Sequence, residues 1–315
     1  MVKLVGPLLS DKASGSVSPY LTFSERKSGS QVRFQRKQKL ILSTWGQADQ
    51  KSLYRTIYSR WLSFSAAERK VYDDEAKAKN LRMSGWNLFL KYAMANPKIY
   101  LGLVGYWSMN RSGFGTILDI SKNGNVGTLK PLYPSNCPAY VESKNEKLLK
   151  ALSFDGVNDK VDLSTLPTIV APYSVSLWFY PRQLNKLQAM VSLRGSLFYP
   201  YFCFHINNKL LVYAGSEKYR YGNKVFTSGD LNKWWHVVFI VANPNSLIDW
   251  KVYLNGANDT GTSGANTGIY YSPGSYGNIG ASIGSYFFNG LIDDVRIYNR
   301  ALGPTEILKL YKLFR

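Results

Sequence analysis

The chain has 315 residues, with 39 Lys and Arg against 20 Asp and Glu, a formal net charge of +19, and 45% hydrophobic and 15% aromatic residues. That length holds one large or two ordinary domains, and the hydrophobic content excludes wholesale disorder. Two cysteines (Cys137, Cys203) and two histidines (His205, His236) exclude a disulfide scaffold, a four-cysteine zinc site and a histidine-rich metal centre, and no apolar run approaches the roughly 20 residues needed to cross a bilayer.

The positive charge is densest at the start: residues 1–100 carry 18 basic and 7 acidic side chains, a net of +11, against +8 over residues 101–315. Such a balance suits nucleic acid, an anionic surface or an acidic protein partner. Leu4–Leu9 is apolar but short and broken by Gly6 and Pro7, so an export signal is not expected. Residues 1–44 read as an extended basic arm. Serines and glycines punctuate two strand-like pieces, Tyr20–Phe23 and Gln31–Phe34, and the arm cannot bury enough apolar surface to fold alone. Two readings stay open, a solvated tail and an arm ordered by adding a strand to a partner. Arg33, Arg36, Lys37 and Lys39 are the candidate partner-binding residues.

Residues 45–98 switch to helical periodicity and form a small three-helix module. Leu53, Ile57 and Trp61 share one helical face. Ser65-Ala66-Ala67-Glu68 has the form of a capping box opening a second helix to about Lys79. Ser84 or Gly85 opens a third, stopped at Asn96-Pro97. Trp45, Trp61 and Trp86 are expected as core anchors. A basic three-helix unit also suits DNA binding. Here the cations are scattered and interrupted by Asp73, Asp74 and Glu75, so nucleic acid is not the expected partner.

Residues 99–315 read as strands separated by turn residues at short intervals, the mainly-β pattern. The expected strands include Val161–Leu163, Ser174–Tyr180, Ala189–Leu193, Tyr201–Ile206, Leu210–Tyr213, Trp234–Val241, Trp250–Leu254 and Leu291–Tyr298. Asn207-Asn208 and Asn255-Gly256 are turn dipeptides. Residues 256–275 read as a long surface loop, and a last helix runs from about Pro304 to Leu313.

Seven ordered segments in this region carry a resemblance. They are Gly105-Tyr106-Trp107-Ser108, Asp119 to Leu129, Ala151 to Val161, Ser174 to Phe179, Trp235 to Phe239, Val252 to Gly256 and Phe288 to Leu302. Residues 102–311 thereby resemble a LamG-like jelly-roll domain of the concanavalin A-like lectin/glucanase superfamily. The resemblance implies an antiparallel β-sandwich, with functions that range over carbohydrate binding and protein adhesion, often with a structural calcium. More loosely, Ser14 to Ser24, the helix with Gln47, Arg55 and Trp61, and the Phe64–Arg69 and Ser84–Phe89 segments are similar to virion-associated proteins of tailed viruses and prophages.

The superfamily's glucanases place catalytic acids as Glu-x-Asp-x-x-Glu, and no such run occurs here, so an enzyme is not expected. Asp155, Asp293 and Asp294 are the candidate calcium ligands, since the ion requires oxygen donors. Asp293 shares a strand face with Val295 and Ile297 and is expected to point inward. The alternative is that Asp155 caps a turn and that Asp293 or Asp294 pairs with Arg296 or Arg300. Tyr219, Tyr221, Tyr270 and Tyr271 are the candidate glycan-stacking residues among many loop tyrosines, which could instead cover strand edges and contact a neighbouring subunit. His236 is expected to be structural, and the cysteines to be free thiols.

These readings converge on a non-enzymatic surface protein of a viral particle, made in a host cytoplasm. Its arm and helices would anchor it to shell or other particle proteins in a homo-oligomeric assembly, and its sandwich would bind cell-surface glycans or stabilise the shell. The rivals are a free, extracellular microbial adhesion protein and a nucleic-acid-associated basic protein.

Overall fold

The computed structural model describes residues 15–18, 21–24, 31–34, 54, 57–58, 61–62, 64 and 66–313, apart from short gaps at 95–96, 110–111, 114, 122, 132–136, 143–149, 195–199, 216–217, 266 and 283–284. Arg36, Lys37, Lys39 and Trp45 lie outside the described residues, and Arg33 is described in its backbone only. The chain divides into two compact units, Met1–Pro97 and Lys98–Arg315.

In the first unit, β1 (Gly15–Ser18), β2 (Leu21–Ser24) and β3 (Gln31–Phe34) form an antiparallel three-stranded sheet in that order. Tyr54, Ile57, Tyr58, Trp61 and Leu62 are helical and are followed by α1 (Ala66–Ala78) and α2 (Gly85–Met94). α1 ends where Asn80 turns to φ +50°, with the Leu81 N–H returning to the Ala76 carbonyl. Ser84 caps α2 by accepting the Asn87 N–H. Gly85 is required by close approach: its N–H donates to Asp73 Oδ1 at 2.7 Å, and an added Cβ would fall 2.5 Å from that same oxygen. The helices meet through rings. Trp61, Phe64, Tyr72 and Phe89 pack mostly edge to face, with Trp86 tilted against Trp61 and Phe89. Trp61 and Trp86 are buried there as core residues.

The second unit holds β4 (Leu103–Trp107), β5 (Ser112–Gly113), β6 (Thr116–Ile117), β7 (Gly127–Lys130), β8 (Ala139–Glu142), β9 (Lys150–Asp155), β10 (Lys160–Leu163), β11 (Tyr173–Pro181), β12 (Gln188–Arg194), β13 (Tyr201–Phe204), β14 (Leu210–Tyr213), β15 (Tyr219–Gly222), β16 (Trp235–Val241), β17 (Trp250–Leu254), β18 (Ala257–Asn258), β19 (Thr260–Ser263), β20 (Tyr276–Ile279) and β21 (Asn289–Tyr298), followed by α3 (Pro304–Leu313). Among the described residues they make two antiparallel sheets. One has ten strands in the order β19-β15-β14-β13-β12-β20-β10-β7-β6-β5. The other has eight, in the order β18-β17-β16-β11-β21-β9-β8, with β4 pairing a second stretch of β21. β18 and β19 fall where the sequence predicts a long loop. Their Gly, Thr and Asn content hides the strand pattern, and the strands form by pairing with β17 and β15.

The core lies between the sheets. Val161, Leu163, Val191, Leu193, Phe202, Phe204, Leu210 and Val212 on one side meet Val175, Leu177, Phe179, Val237, Phe239, Val252, Ile292 and Val295 on the other. The period-two alternation of β11 thus points its odd residues inward. Ser174, Ser176 and Trp178, its even residues before the half-buried Tyr180, are buried as well, because α3 covers the outer face of the eight-stranded sheet. There Ile307 and Leu310 pack on Val238, Ile240 and Tyr298, and Tyr311 stacks on Trp178. Ser174 and Ser176 are therefore buried polar groups, each with a partner: Ser174 donates to the Arg300 carbonyl, and Ser176 Oγ lies 3.0 Å from His236 Nε2.

Candidate functional site

The acidic candidates are separated by their surroundings. Asp155 ends β9, and its Oδ1 accepts the N–H groups of Val157, Asn158 and Asp159. Although burial raises its pKa, these amides hold the carboxyl below its usual range. Asp159 Oδ2 accepts the Asp155 N–H in return; burial, then the Asp155 charge, raise Asp159 to about 6. The turn is closed on itself, with its acids serving backbone amides.

Asp293 does not point into the core. Ser176 pairs with Arg296 but Trp178 pairs with Asp293, so β21 carries one extra residue in a β-bulge, with Asp294 at φ +52°. The bulge breaks the alternation read from the sequence. Ile292 and Val295 both reach the core, while Asp293, beside Trp178, lies on the face under α3. Asp294 is held in a two-pronged ion pair with Arg296, both contacts 3.0 Å, and accepts the Tyr106 hydroxyl at 2.7 Å. The Arg296 guanidinium also lies 4.3 Å from the centre of the Tyr106 ring. Asp155 and Asp294 are thus committed to amides and to arginine. Among the described residues no group of three or more His, Cys, Asp or Glu is placed to hold a metal ion. Asp155 on the one hand and Asp293 and Asp294 on the other thus stand in separate hydrogen-bond networks. His236 is fully buried, and its imidazole is pushed down to about 3 by burial and then by Arg296, so it is a neutral structural partner of Ser176.

The tyrosines do converge. In β13, Phe202 and Phe204 point to the core, so Tyr201 and Cys203 point out. In β14, Leu210 and Val212 point in, so Leu211 and Tyr213 point out. The register sets Tyr201 opposite Tyr213 and Tyr213 opposite Tyr219, one row across three adjacent strands. Beside it, Cys203 faces Leu211 and Leu211 faces Tyr221. Ala189, Cys203 and Leu211 form the buried floor, packed by Leu187, Tyr201, Tyr213, Tyr219 and Tyr221. The rings of Tyr201 and Tyr213 stack at 4.6 Å, Tyr286 stands 6.3 Å from Tyr201, and Tyr219 lies 5.4 Å from Tyr221. His205 closes one end, its ring 5.2 Å from that of Tyr221.

Of the four tyrosines singled out by the sequence, Tyr219 and Tyr221 belong to this face. Tyr271 borders it: its N–H donates to the Ala214 carbonyl, and burial, then electrostatic repulsion from Tyr271 and Tyr286, raise the Tyr213 pKa. Tyr270 points the other way, packed on the core against Trp250. Sequence reasoning misses Tyr213, although Leu210-Leu211-Val212-Tyr213 has the alternation that turns it outward. Burial, then Tyr219 and Cys203, raise the Tyr221 pKa too, so the phenols of Tyr213 and Tyr221 are neutral at physiological pH. The four strands beneath read QAMVSLR, YFCF, LLVY and YRYG and contain no Asp or Glu. Of their two arginines, Arg220 lies opposite the core residue Val212, on the inward register, and Arg194 is described in its backbone only. Such a face can stack on and hydrogen-bond to a polar ligand, and its strands bring no carboxylate to it.

Residues 155–308 match the model of the concanavalin A-like lectin/glucanases superfamily. Domain 4 of AbnA, an extracellular arabinanase of Geobacillus stearothermophilus solved in complex with arabinotriose, is 23% identical, with a TM-score of 0.51 over 68% of this chain and 98% of that one. The receptor-binding domain of the botulinum neurotoxin C/D mosaic serotype is 13% identical, with a TM-score of 0.52 over 68% of this chain and 51% of that one. That of botulinum neurotoxin D is 14% identical, with a TM-score of 0.50 over 68% and 53%. No curated protein matches the chain. At these identities the solved structures speak for the fold, and the chain spans only about half of the neurotoxin domains. The two antiparallel sheets of the second unit form a sandwich consistent with a concanavalin A-like jelly roll, and residues 155–308 within it match that superfamily's model.

Proposed function

We propose that the second unit is a non-enzymatic module that binds neutral glycans through the tyrosine face of its ten-stranded sheet, and that the chain displays it on the surface of a viral particle. The row of Tyr201, Tyr213 and Tyr219 across adjacent strands carries the glycan reading. Sugars are bound by aromatic rings flanked by hydrogen-bonding groups, and this face supplies both. The similar arabinanase domain, solved with arabinotriose, supports the same reading. Hydrolysis would need two carboxyls roughly 5–10 Å apart across the scissile bond. The strands under the face supply none.

The particle reading rests on the loose resemblance of the N-terminal residues to virion-associated proteins and on the basic arm. In it, Arg33, Arg36, Lys37 and Lys39 meet a shell or other particle protein. The test of the glycan reading is a glycan array probed with the full chain and with a Tyr201→Ala/Tyr213→Ala variant. Neutral glycans should bind the first and lose at least about tenfold in affinity for the second, about 1.4 kcal/mol. Equal binding by both moves the site elsewhere. For the particle reading, limited proteolysis of the free chain and of its native high-mass fraction should cut the arm in the first and spare it in the second. Equal cutting in both favours a free adhesion protein.

A further inference from the structure

We infer that the tyrosine face takes several consecutive sugar rings from within a neutral glycan chain, laid across the strands, and not a single terminal sugar; this deepens the glycan reading above and rests on it. A site for a terminal sugar closes around one ring with polar groups converging from several sides. Here the groups are laid out in a line. Tyr201, Tyr213 and Tyr219 are direct cross-strand partners on β13, β14 and β15. Tyr286 continues the line over β12, where its carbonyl accepts the Ala189 N–H. The line therefore crosses four strands, about 14 Å at an inter-strand spacing of about 4.8 Å.

The ring geometry agrees. Tyr201 and Tyr213 are nearly parallel, 21° between their planes, so each covers one face of the other and leaves edges for the ligand. Tyr286, 44% exposed and tilted 40° from Tyr201, offers more of its surface at one end. No one ring forms a complete stacking platform, so affinity has to accumulate over several sugars. The ligand is neutral because anionic sugars are held by arginine forks or lysine charges, whereas this row itself consists of tyrosines over a floor of Ala189, Cys203 and Leu211.

The test is calorimetric titration of the full chain with ladders of one to six sugars from linear neutral polysaccharides: arabinan, β-glucan, xylan, mannan and galactan. Affinity for the bound type should rise at least tenfold between the disaccharide and the longest member and be unchanged between low and high salt. Tyr286→Ala and Tyr219→Ala, at opposite ends, should each weaken the hexasaccharide several-fold and barely change the disaccharide. Tyr213→Phe, which keeps the central ring, checks that lost binding is not lost folding. A monosaccharide bound as tightly as the hexasaccharide overturns this inference and leaves the glycan reading intact. Binding of no ladder at any length overturns both.

Discussion

Replacing Arg296 with Leu would leave the buried Asp294 carboxylate without its counter-ion. Both partners are nearly sealed from water, with side-chain exposures of 3% and 1%, and the pair is joined at two points, each 3.0 Å. Solvent screening therefore offers little relief, and breaking such a pair by removing one partner costs about 3–5 kcal/mol. The guanidinium also lies 4.3 Å from the Tyr106 ring centre, a cation–π interaction that leucine cannot make. Against a total stability of about 5–15 kcal/mol for an ordinary domain, that is a large share. Denaturant unfolding, followed by the fluorescence of tryptophans such as Trp107, Trp178 and Trp250, would show the midpoint of the second unit fall sharply. The double variant Asp294→Asn/Arg296→Leu should be less damaged than the single one, because no buried charge is stranded. A shift below about 0.5 kcal/mol for Arg296→Leu, the scale of an ordinary surface change, would refute the view that this pair holds the bulged strand.

Three further outcomes follow from local electrostatics and backbone geometry. Asp159 has a folded pKa of about 6, above its ordinary value, so the folded state binds the extra proton. Its contribution to stability is complete below the unfolded pKa and is lost as pH rises toward about 6. Asp159→Asn should remove that slope from the pH-dependent denaturation curve. His236 has the opposite sign: with a folded pKa of about 3, its contribution is present above the unfolded pKa near 6.5 and is lost as pH falls toward 3. Its ring resonances in an NMR titration should stay those of neutral imidazole through pH 5. Gly215 sits at φ +139°, where an added Cβ would lie 1.8 Å from the Ile269 carbonyl oxygen. Gly215→Ala should cost about 1–3 kcal/mol of backbone strain and, by displacing Ile269–Tyr271, change the border of the tyrosine face. An unchanged melting temperature would contradict it.

Much of the sandwich is legible in the sequence because half-buried strands alternate. Leu210–Tyr213 and Trp250–Leu254 have the same ends in the reading and in the structure. The failures come from long-range effects. Nothing local in Asp293-Asp294-Val295 marks the extra residue that turns Asp293 out of the core; the bulge exists only relative to β11. The serines of β11 look solvent-facing until α3, over a hundred residues later, is seen to cover them. Tyr270 and Tyr271 are neighbours with equal composition cues, yet one packs on Trp250 and the other borders the tyrosine face. The row of tyrosines depends on the register between β13, β14 and β15, and the strands show their alternation in the sequence without their alignment.

The most direct measurement is NMR of the chain with labelled tyrosine rings, recorded with and without the neutral oligosaccharide that binds most tightly. On this account the resonances of Tyr201, Tyr213, Tyr219 and Tyr286 move together on binding, and those of the buried Tyr173 and Tyr298 stay in place. Binding that leaves the four outward tyrosines unmoved, with shifts confined to the Asp155–Asp159 turn or another edge of the sandwich, would contradict it.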